Sequence, residues 1–507
     1  MRSPSPPPKP VRAARGAADA GAGRPLRVRE LSADAARDPL ALHRAIRGPF
    51  AALLESSLRE EGGSGARFSY SLPRPFARIT WSPREGVRVA TESGETVVPG
   101  ARDPFALAEI LLRERRAERR EEVGPFAGGA VAVIGYGAAP LFEEKLRRGA
   151  ASARPLESDA AVRLFFFDRG VAFDHASGRA FAFAAEGGAE PPRAFFDRID
   201  AAAAGRDALP PLFPAPPREA GRPRLTSDFT RGEYLSAVER VREYIAAGDA
   251  YQVNLAQRFT LAWPAGGEPE AAAVHARLRE ENPAPFGALI EIEPSRHVIS
   301  ASPELFLERR GLAVRTRPIK GTRPRVRDAA RDAAARRDLL ASEKDRAELA
   351  MIVDLERNDL GKVCETGSVR VAEAGLLETH PWVFHRVATV EGALRRGTSL
   401  GSLLGATFPT GSITGAPKIR AMEIIAEIER SPRGVYTGAF GWIGWDGDLD
   451  LAVAIRTIEH GRGEARFHVG GGIVADSSPE SEYEETLHKA RGLRRGLDAE
   501  SAEPSVA

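Results

Sequence analysis

The segment Ala160–Ala185, AAVRLFFFDRGVAFDHASGRAFAFAA, decides the fold class of this chain. It contains apolar runs rich in phenylalanine and valine, joined by the short polar stretch Asp174–Gly178. Aromatic and β-branched residues favour strands, whereas Asp, Ser and Gly between two such runs favour a turn. The segment therefore predicts two antiparallel strands joined in a hairpin.

Further hairpins are predicted in the second half of the chain, around Arg310–Gly311 and around Asp446–Gly447. The segment Ala250–Leu261, AYQVNLAQRFTL, alternates between apolar and polar residues, with Tyr251 on the apolar face and Gln252 on the polar one. That period of two predicts a strand with a polar second face.

Helices are predicted between these strands. One begins at Thr230, which forms a capping box with Glu233, and ends near Gly248. Long helices are also predicted near 333–359 and 415–429. Hairpins alternating with helices indicate the α+β class, with antiparallel sheets flanked by helices in a two-layer, sandwich-like arrangement, not a doubly wound parallel sheet.

A chain of 507 residues exceeds the size at which one core stops growing, so more than one domain is expected. A proline-rich stretch forbids a helix and predicts a linker. The predicted parts are a disordered tail over 1–25, an N-terminal domain over 26–205, the linker over 206–226, a C-terminal domain over 227–497 and a polar tail over 498–507.

The composition excludes several classes of function. Lysine and arginine number 72 against 70 acidic residues, and this balance gives no argument for nucleic-acid or membrane binding. No apolar run approaches the roughly 18 residues that span a bilayer. The single cysteine, Cys364, excludes an internal disulfide and suits a reducing compartment. A cytoplasmic protein without nucleic-acid or membrane partners is expected.

Glutamates on two predicted helices are candidates for a metal site. Glu348 lies on the apolar side of its helix, where an unpaired charge is costly. Glu482, Glu485 and Lys489 share one face of a helix that begins after Ser478. Carboxylate oxygens suit Mg²⁺ that completes its shell with water and an anionic substrate. The alternative for Glu482 and Glu485 is a solvated face with an ion pair to Lys489.

Two glycine-dense segments are candidates for anion binding: Val469–Glu480, VGGGIVADSSPE, and Pro409–Met422, PTGSITGAPKIRAM. Backbone amides at consecutive glycines can approach an anion closely, and a helix starting at Gly415 would point its positive end at one. The Gly-Lys-Ser/Thr ending of a nucleotide loop is absent. We therefore expect these segments to bind a carboxylate.

Two basic residues are further candidates. Arg456 lies between small residues in LAVAIRTI, which leaves space for a carboxylate bound by its planar guanidinium, although a structural ion pair is the alternative. Lys320 lies in Arg315–Arg325, RTRPIKGTRPR. An ordinary lysine pKa of about 10.4 leaves the amine protonated. Neighbouring arginines or burial would lower that pKa and free a nucleophile, and the alternative is a basic surface patch.

Eight segments resemble, in order, the motif series of the chorismate-utilising enzymes, in the branch that contains anthranilate synthase and aminodeoxychorismate synthase component I. The resemblance covers about 225–497. The segments are GDAYQVNLAQRF, ASPELFLER, RTRPIKGTRPR, AELAMIVDLERNDLGKV, TGSITGAPKIRAMEII, YTGAFGWIG, AVAIRTI and GGGIVADSSPESEYEETLHKA. The N-terminal part is similar more weakly, through FAALLESSL, Phe50–Leu58, which matches the segment that forms the tryptophan pocket of anthranilate synthases. Tryptophan is thus a possible second ligand, and an ordinary helix fragment is the alternative.

The resemblance implies roles for individual residues. It implies Mg²⁺ as cofactor, held by Glu348 and Glu485 directly and by Glu482 through water. It implies that chorismate is bound by Lys489, by the amides of Gly470, Gly471 and Gly472, by Tyr436 and Arg456, and by Thr322 and Thr414. Glu304 resembles the general acid that protonates the departing hydroxyl at ring carbon 4, Lys320 the nucleophile that attacks carbon 2, and His385 a histidine near the leaving group.

Two positions indicate the reaction within the family. Gln252 stands where isochorismate and salicylate synthases carry the lysine that activates water, which implies amination. Lys320 stands where anthranilate synthases usually carry alanine, which implies 4-amino-4-deoxychorismate as product, for 4-aminobenzoate and folate synthesis. Because Cys364 lacks a glycine-flanked elbow, ammonia is expected from a separate glutamine amidotransferase subunit. Anthranilate synthase component I and a non-catalytic anion- or nucleic-acid-binding protein remain alternatives.

Overall fold

The structure, a computed structural model, describes residues 23–57, 67–143, 145–146, 160–205, 209–213, 223–380 and 383–500. The predicted α+β class is confirmed, because the strands form two large sheets whose strand pairs are antiparallel and helices lie against them. Every helix in these ranges is too short or too polar to cross a lipid bilayer. The helices are α1 (Pro39–Ile46), α2 (Pro104–Glu114), α3 (Ala139–Phe142), α4 (Pro192–Gly205), α5 (Arg231–Ala246), α6 (Ala271–Glu281), α7 (Ala329–Ala341), α8 (Glu343–Gly361), α9 (Leu400–Thr407), α10 (Lys418–Ile428) and α11 (Pro479–Gly496).

The first sheet has 12 strands in the order β1-β10-β9-β3-β2-β13-β14-β23-β24-β12-β11, with β20 beside β12. Its strands are β1 (Leu26–Glu30), β2 (Ala52–Glu55), β3 (Phe68–Leu72), β9 (Arg169–Asp174), β10 (Arg179–Ala185), β11 (Thr226–Ser227), β12 (Gln252–Ala262), β13 (Phe286–Glu293), β14 (Arg296–Ser302), β20 (Gly415–Ala416), β23 (Thr457–Gly461) and β24 (Glu464–Ile473).

The second sheet also has 12 strands, in the order β17-β19-β16-β15-β22-β21-β7-β8-β4-β5-β6, with β18 beside β19. Its strands are β4 (Ala77–Ser82), β5 (Gly86–Thr91), β6 (Gly94–Val97), β7 (Gly129–Ile134), β8 (Val162–Phe167), β15 (Leu305–Arg310), β16 (Ala313–Arg317), β17 (Ile319–Pro324), β18 (Arg370–Thr379), β19 (Val383–Ala393), β21 (Ala439–Gly444) and β22 (Leu449–Val453).

The segment Ala160–Ala185 contains the predicted hairpin, and it also joins the two sheets. Asp174 pairs with Arg179 across the turn between β9 and β10, which confirms the hairpin. The apolar run before it is β8 of the second sheet, so the chain passes from one sheet to the other at Asp168. Strands β8 and β10 are apolar apart from Arg163 and Arg179, because both faces of these strands are buried.

A continuous apolar core joins buried side chains of both sheets. Aromatic pairs add to this core: Phe50, just before β2, stacks on Phe165 of β8 with ring centroids 6.1 Å apart, and Tyr70 of β3 meets Phe126, just before β7, edge to face at 5.3 Å. Helices α5, α6, α10 and α11 cover the part of the first sheet that carries β12 and β24. The predicted sandwich-like layers therefore rest on burial between the sheets.

Both halves of the sequence contribute strands to both sheets. In the first sheet β2 pairs with β13, and in the second β7 pairs with β21. The predicted division between 26–205 and 227–497 stays a prediction, and its two sides share sheets instead of packing as separate layers. Most of the linker over 206–226, nearly all of the tail over 1–25 and the end of the tail over 498–507 lie outside the described residues.

Three details of the sequence prediction are wrong. Ser342 divides the helix predicted near 333–359 into α7 and α8, where its hydroxyl caps α8. The helix predicted from Gly415 begins instead at Lys418, because Gly415 and Ala416 pair with β12 as a short strand. Tyr251 lies outside β12 and is 74% exposed.

Candidate active site

Lys320 lies on β17, close under the helices α7 and α8. The next residue, Gly321, has a φ of +83°, and a Cβ there would lie 2.8 Å from atoms of Leu339 and Asp345, so glycine lets the helices approach the strand. The Lys320 Nζ donates a hydrogen bond of 3.2 Å to the carbonyl oxygen of Ser412. Burial lowers the pKa of Lys320, although Glu348 and Glu304 act in the opposite direction.

The arginines around Lys320 are held by carboxylates. The pKa of Lys320 is lowered by burial, and the charge of Lys489 lowers it further. The expectation that these arginines lower the lysine pKa is wrong. The same pairing neutralises the stretch, which removes the basis for a basic surface patch. The pairs are Arg315 with Glu308, Arg317 with Glu378, Arg323 with Asp338 and Asp345, and Arg325 with Asp332.

Glu304 is buried in the turn between β14 and β15, and Ser412 links it to Lys320. Burial raises the pKa of the Glu304 carboxyl, and the Ser412 hydroxyl and the Lys320 amine act in the opposite direction. Ser412 thus holds the candidate nucleophile through its carbonyl, while its buried hydroxyl lies near the candidate acid without a hydrogen-bond partner among the described residues. The two pKa shifts run in the directions that favour acid-assisted nucleophilic attack, toward a protonated carboxyl and a neutral amine.

The three predicted metal ligands come together from α8 and α11. The Lys344 Nζ lies 3.9 Å from a carboxylate oxygen of Glu348 and 3.9 Å from one of Glu482. Burial raises the pKa of Glu348 and of Glu482, and the charge of Glu485 adds to the rise in both. The sequence therefore identified carboxylates that the fold places close enough to influence one another.

Glu485 differs from the other two carboxyls, because Lys489 lies 2.7 Å away. Burial acts to raise the pKa of Glu485, but Lys489, Lys344 and Lys320 outweigh it, and the pKa falls below its usual value. The ion pair that was the alternative reading of this helix face is thus present. This ion pair does not exclude a substrate-binding site, since Lys489 also donates a hydrogen bond to Gly470 on strand β24.

The oxygen-only donor set fits Mg²⁺ in kind. No three acidic, histidine or cysteine side chains among the described residues lie close enough together to enclose an ion. Mg²⁺, however, is commonly held by one or two carboxylates plus water and substrate. The residues present agree with that type of site.

The glycine strand β24 passes beside these carboxylates. A Cβ on Gly471 would lie 3.0 Å from a carboxylate oxygen of Glu482 and 3.6 Å from one of Glu485, so glycine keeps the strand open there. The Gly470 carbonyl accepts a 2.7 Å hydrogen bond from Lys489. Opposite Gly472, Gln252 is fully buried, and both atoms of its amide lack a hydrogen-bond partner in the described chain. A buried amide without a partner indicates a place for a ligand.

Arg456 and Tyr436 lie on segments next to this edge. Arg456 follows the end of β22 with a φ of +49°, so it belongs to a turn and not to the strand that the sequence predicted. Its guanidinium forms no ion pair or hydrogen bond with any side chain that the structure describes, which also contradicts the structural ion pair. Tyr436 stacks on His468 with centroids 5.2 Å apart, and burial raises the pKa of Tyr436 to about 12.

His385 and the two predicted threonines occupy different surroundings. Burial lowers the pKa of His385 to about 3, with Arg456 and His380 adding to the shift, so the imidazole is neutral. Its Nδ1 lies 2.9 Å from the hydroxyl of Thr322. Thr414 is fully buried, and its hydroxyl donates to the carbonyl of Thr410. A substrate contact by Thr414 stays a prediction, and its hydroxyl is engaged inside the protein.

Sequence reasoning missed Ser412, Lys344 and Glu356, which lie around the predicted residues. Glu356 could have been found by the criterion that found Glu348: it falls at helical spacing between Ile352 and Leu360, so its carboxyl faces the core. Ser412 had no comparable signal, because its contacts are made by a loop whose path depends on tertiary structure.

The FAALLESSL segment forms strand β2, not a helix fragment, although Leu58 lies outside the described residues. Leu54, Glu55 and Ser56 line a cavity between the two sheets, opposite Trp442 and Asp450. The Glu55 carboxylate accepts hydrogen bonds from His275 and Arg279. Tryptophan binding in this cavity stays a prediction.

The fold and the site together define an enzyme class. Residues 69–495 match the family model for chorismate binding enzyme. Because that match spans most of the sequence, the chain belongs to this family, and the resemblance expected from the motifs is confirmed.

Relatives within the family carry two names. The chain is 42% identical to anthranilate synthase component 1 of Streptomyces coelicolor over 386 residues, covering 73% of this chain and 72% of that protein. It is 34% identical to aminodeoxychorismate synthase component 1 of Bacillus subtilis over 451 residues, covering 88% and 92%. The crystal structure of anthranilate synthase component I from Streptococcus pneumoniae superimposes with a TM-score of 0.71 at 29% identity, covering 86% of this chain and 93% of that one.

Proposed function

We propose that this chorismate-binding enzyme aminates chorismate at ring carbon 4, as component I of an aminodeoxychorismate synthase. The observation that carries the proposal is Lys320: its amine lies beside the buried carboxyl of Glu304, and burial lowers the lysine pKa. A lysine at this position supports covalent catalysis, which an alanine could not provide.

In the proposed first step, the neutral amine of Lys320 forms a bond to ring carbon 2. The two conjugated ring double bonds shift in turn, from carbons 1–2 and 5–6 to carbons 1–6 and 4–5, the carbon 4–oxygen bond breaks, and the hydroxyl leaves as water with the proton of Glu304. The raised pKa of Glu304 supports this role, because the carboxyl must hold its proton until the hydroxyl departs.

In the second step ammonia forms a bond to carbon 4, both double bonds shift back to carbons 1–2 and 5–6, and the bond between Lys320 and carbon 2 breaks. The new ammonium at carbon 4 releases one proton, which restores Glu304. The net change replaces a hydroxyl by an amine and forms one water. The unpartnered amide of Gln252 supports amination over hydration, because an amide cannot act as the base that activates water.

The substrate carries two carboxylates, and two groups of residues fit them. The Arg456 guanidinium, which no described side chain holds, would bind one together with Tyr436, and Lys489 with the amides of Gly470–Gly472 would bind the other. Glu348 and Glu485, with Glu482 through water, would hold Mg²⁺. A bound Mg²⁺ withdraws negative charge from a substrate carboxylate and orients it.

Ammonia would come from a separate glutamine amidotransferase subunit. Cys364 is the single cysteine of the chain, and it is buried. Burial raises the pKa of its thiol to about 11, so it stays protonated and unsuited to attack glutamine. The same free thiol suits the reducing cytoplasm, which we propose as the location.

The test is turnover of chorismate by the purified protein with Mg²⁺ and ammonium at alkaline pH. We expect a non-fluorescent amino product that an added lyase converts to 4-aminobenzoate. Direct appearance of fluorescent anthranilate would contradict the proposal and support the tryptophan-pathway alternative. Salt-sensitive polyanion binding without turnover would support the non-catalytic one.

A variant tests the covalent step. With chorismate but without ammonium, intact-protein mass spectrometry of the wild type should show an adduct that K320A lacks. K145A is the control, since Lys145 is an exposed lysine outside the proposed site. An adduct that persists in K320A would remove Lys320 from the nucleophile role.

A further inference from the structure

Glu356 is a buried carboxyl on α8 that the mechanism above does not use. It lies eight residues, slightly more than two helical turns, beyond Glu348 on the same helix. Its Oε1 accepts a 2.8 Å hydrogen bond from the hydroxyl of Thr410, and its Oε2 accepts one of 3.0 Å from the hydroxyl of Thr316. The carboxyl therefore ties the helix both to the strand before Lys320 and to the loop after α9.

The Thr410 hydroxyl also contacts Ser412. The backbone N–H of Ser412 donates to the Thr410 hydroxyl at 3.5 Å. The Ser412 carbonyl in turn accepts from Lys320, and its hydroxyl lies near enough to Glu304 to lower the pKa of that carboxyl. A continuous series of hydrogen bonds thus leads from Glu356 through Thr410 to Ser412, which holds the Lys320 amine and lies near Glu304.

The far end of the same loop is held by the same helix. Asp359, one helical turn after Glu356, binds Lys418 at 2.5 Å, and Lys418 also donates to the carbonyl of Thr407 at 3.3 Å. Two carboxyls on one face of α8 therefore fix both ends of the segment 407–418. With its ends held, this segment has little freedom to move Ser412 away from Lys320.

We propose that Glu356 is a positioning residue for the reaction: through Thr410 it fixes Ser412, which sets the relative places of the Lys320 amine and the Glu304 carboxyl. The inference rests on the function proposed above. Burial raises the pKa of Glu356 to about 8, with Glu304 and Asp359 adding to the rise and the threonine hydroxyls opposing it. A carboxyl that is neutral at neutral pH has glutamine, not aspartate, as its closest substitute.

The test compares the rate of adduct formation on Lys320 in single turnover with the affinity for chorismate, using the full chain with Mg²⁺. Displacing a reacting group by about 1 Å costs about 100-fold in rate, so E356A should slow adduct formation by that order. Its affinity for chorismate should change by less than about fivefold, the order of one neutral hydrogen bond. E356Q should stay within about fivefold of the wild type in both.

Two threonine variants control for general damage. T410V removes only the connecting hydroxyl and should slow adduct formation by about tenfold without changing chorismate affinity, which keeps the test valid if E356A fails to fold. T407V should leave both quantities unchanged, because the Thr407 hydroxyl is buried too but donates only to the Leu403 carbonyl of its own helix. In T410V, backbone amides over 410–414 should exchange hydrogen faster than in T407V.

The outcomes separate this inference from the proposed function. A wild type that forms no adduct and no amino product would refute the function, while the amide exchange still reports whether Glu356 holds the loop. If the wild type forms the adduct and both E356A and T410V form it as fast as the wild type, the positioning role is overturned. A parallel loss of affinity and rate in T410V would overturn it as well, since that pattern indicates substrate binding.

Discussion

At the scale of the residue, burial decides the chemistry of Lys320 and Glu304. Burial lowers the pKa of the lysine from its usual value and raises that of the glutamate, so both shifts favour the neutral forms that the proposed step needs, an amine nucleophile and a carboxylic acid. Adduct formation should therefore fall at low pH, where Lys320 is protonated, and fall again at high pH, where Glu304 loses its proton. Single-turnover measurements of the rate of adduct formation at a series of pH values give this profile.

The substitution E304Q tests whether Glu304 causes the fall in the rate of adduct formation at high pH. Glutamine cannot lose a proton, so the rate should rise with pH and then stay level, at a value about 100-fold below the wild type because no acid assists the leaving hydroxyl. E343Q is the control, since Glu343 is exposed at the start of α8. This substitution should leave the rate decreases at low pH and at high pH unchanged. An alkaline fall that persists in E304Q would assign that limb to another group.

Arg456 offers a second test at this scale. Its guanidinium is held by no described carboxylate, so a bound carboxylate would be its partner. R456K keeps a positive charge but loses the planar, two-pronged contact, and should weaken chorismate binding by about 10- to 100-fold. Calorimetric titration in a K320A background measures affinity without adduct formation. An unchanged affinity would place the enolpyruvyl carboxylate elsewhere.

At the scale of the element, helix α11 presents its first turns to the carboxylate of Glu348. E485Q removes one of the charges proposed to hold Mg²⁺ and should raise the Mg²⁺ concentration needed for half-maximal turnover by about tenfold or more. Glu484 lies beside it in sequence but is exposed on the other face, so E484Q is a matched control. Equal Mg²⁺ dependence in both variants would exclude Glu485 as a ligand.

Elements with local signals were predictable, and those shaped by tertiary contacts were not. The capping box of Thr230 and Glu233 and the turn at Asp174–Gly178 both depend on neighbouring residues, and both are confirmed. Gly415 was misassigned because its pairing with β12 outweighs the helix signal that follows it. The candidate site followed from resemblance. The place of Ser412 could not be predicted in this way, because tertiary structure brings its loop next to β17 and the turn after β14.

At the scale of the whole molecule, the sheets are shared between the halves of the chain. Strand β13 borders β2, and β21 borders β7, so a chain that begins at 223 exposes two long apolar strand edges. We expect the segment 223–507 alone to aggregate and to lack chorismate turnover, although it contains every proposed site residue. Co-expression with 1–205 should restore solubility and turnover, because the missing strands can pair again. Sedimentation and turnover of the two preparations check this, and a soluble, active 223–507 would show that the C-terminal part folds as an independent domain.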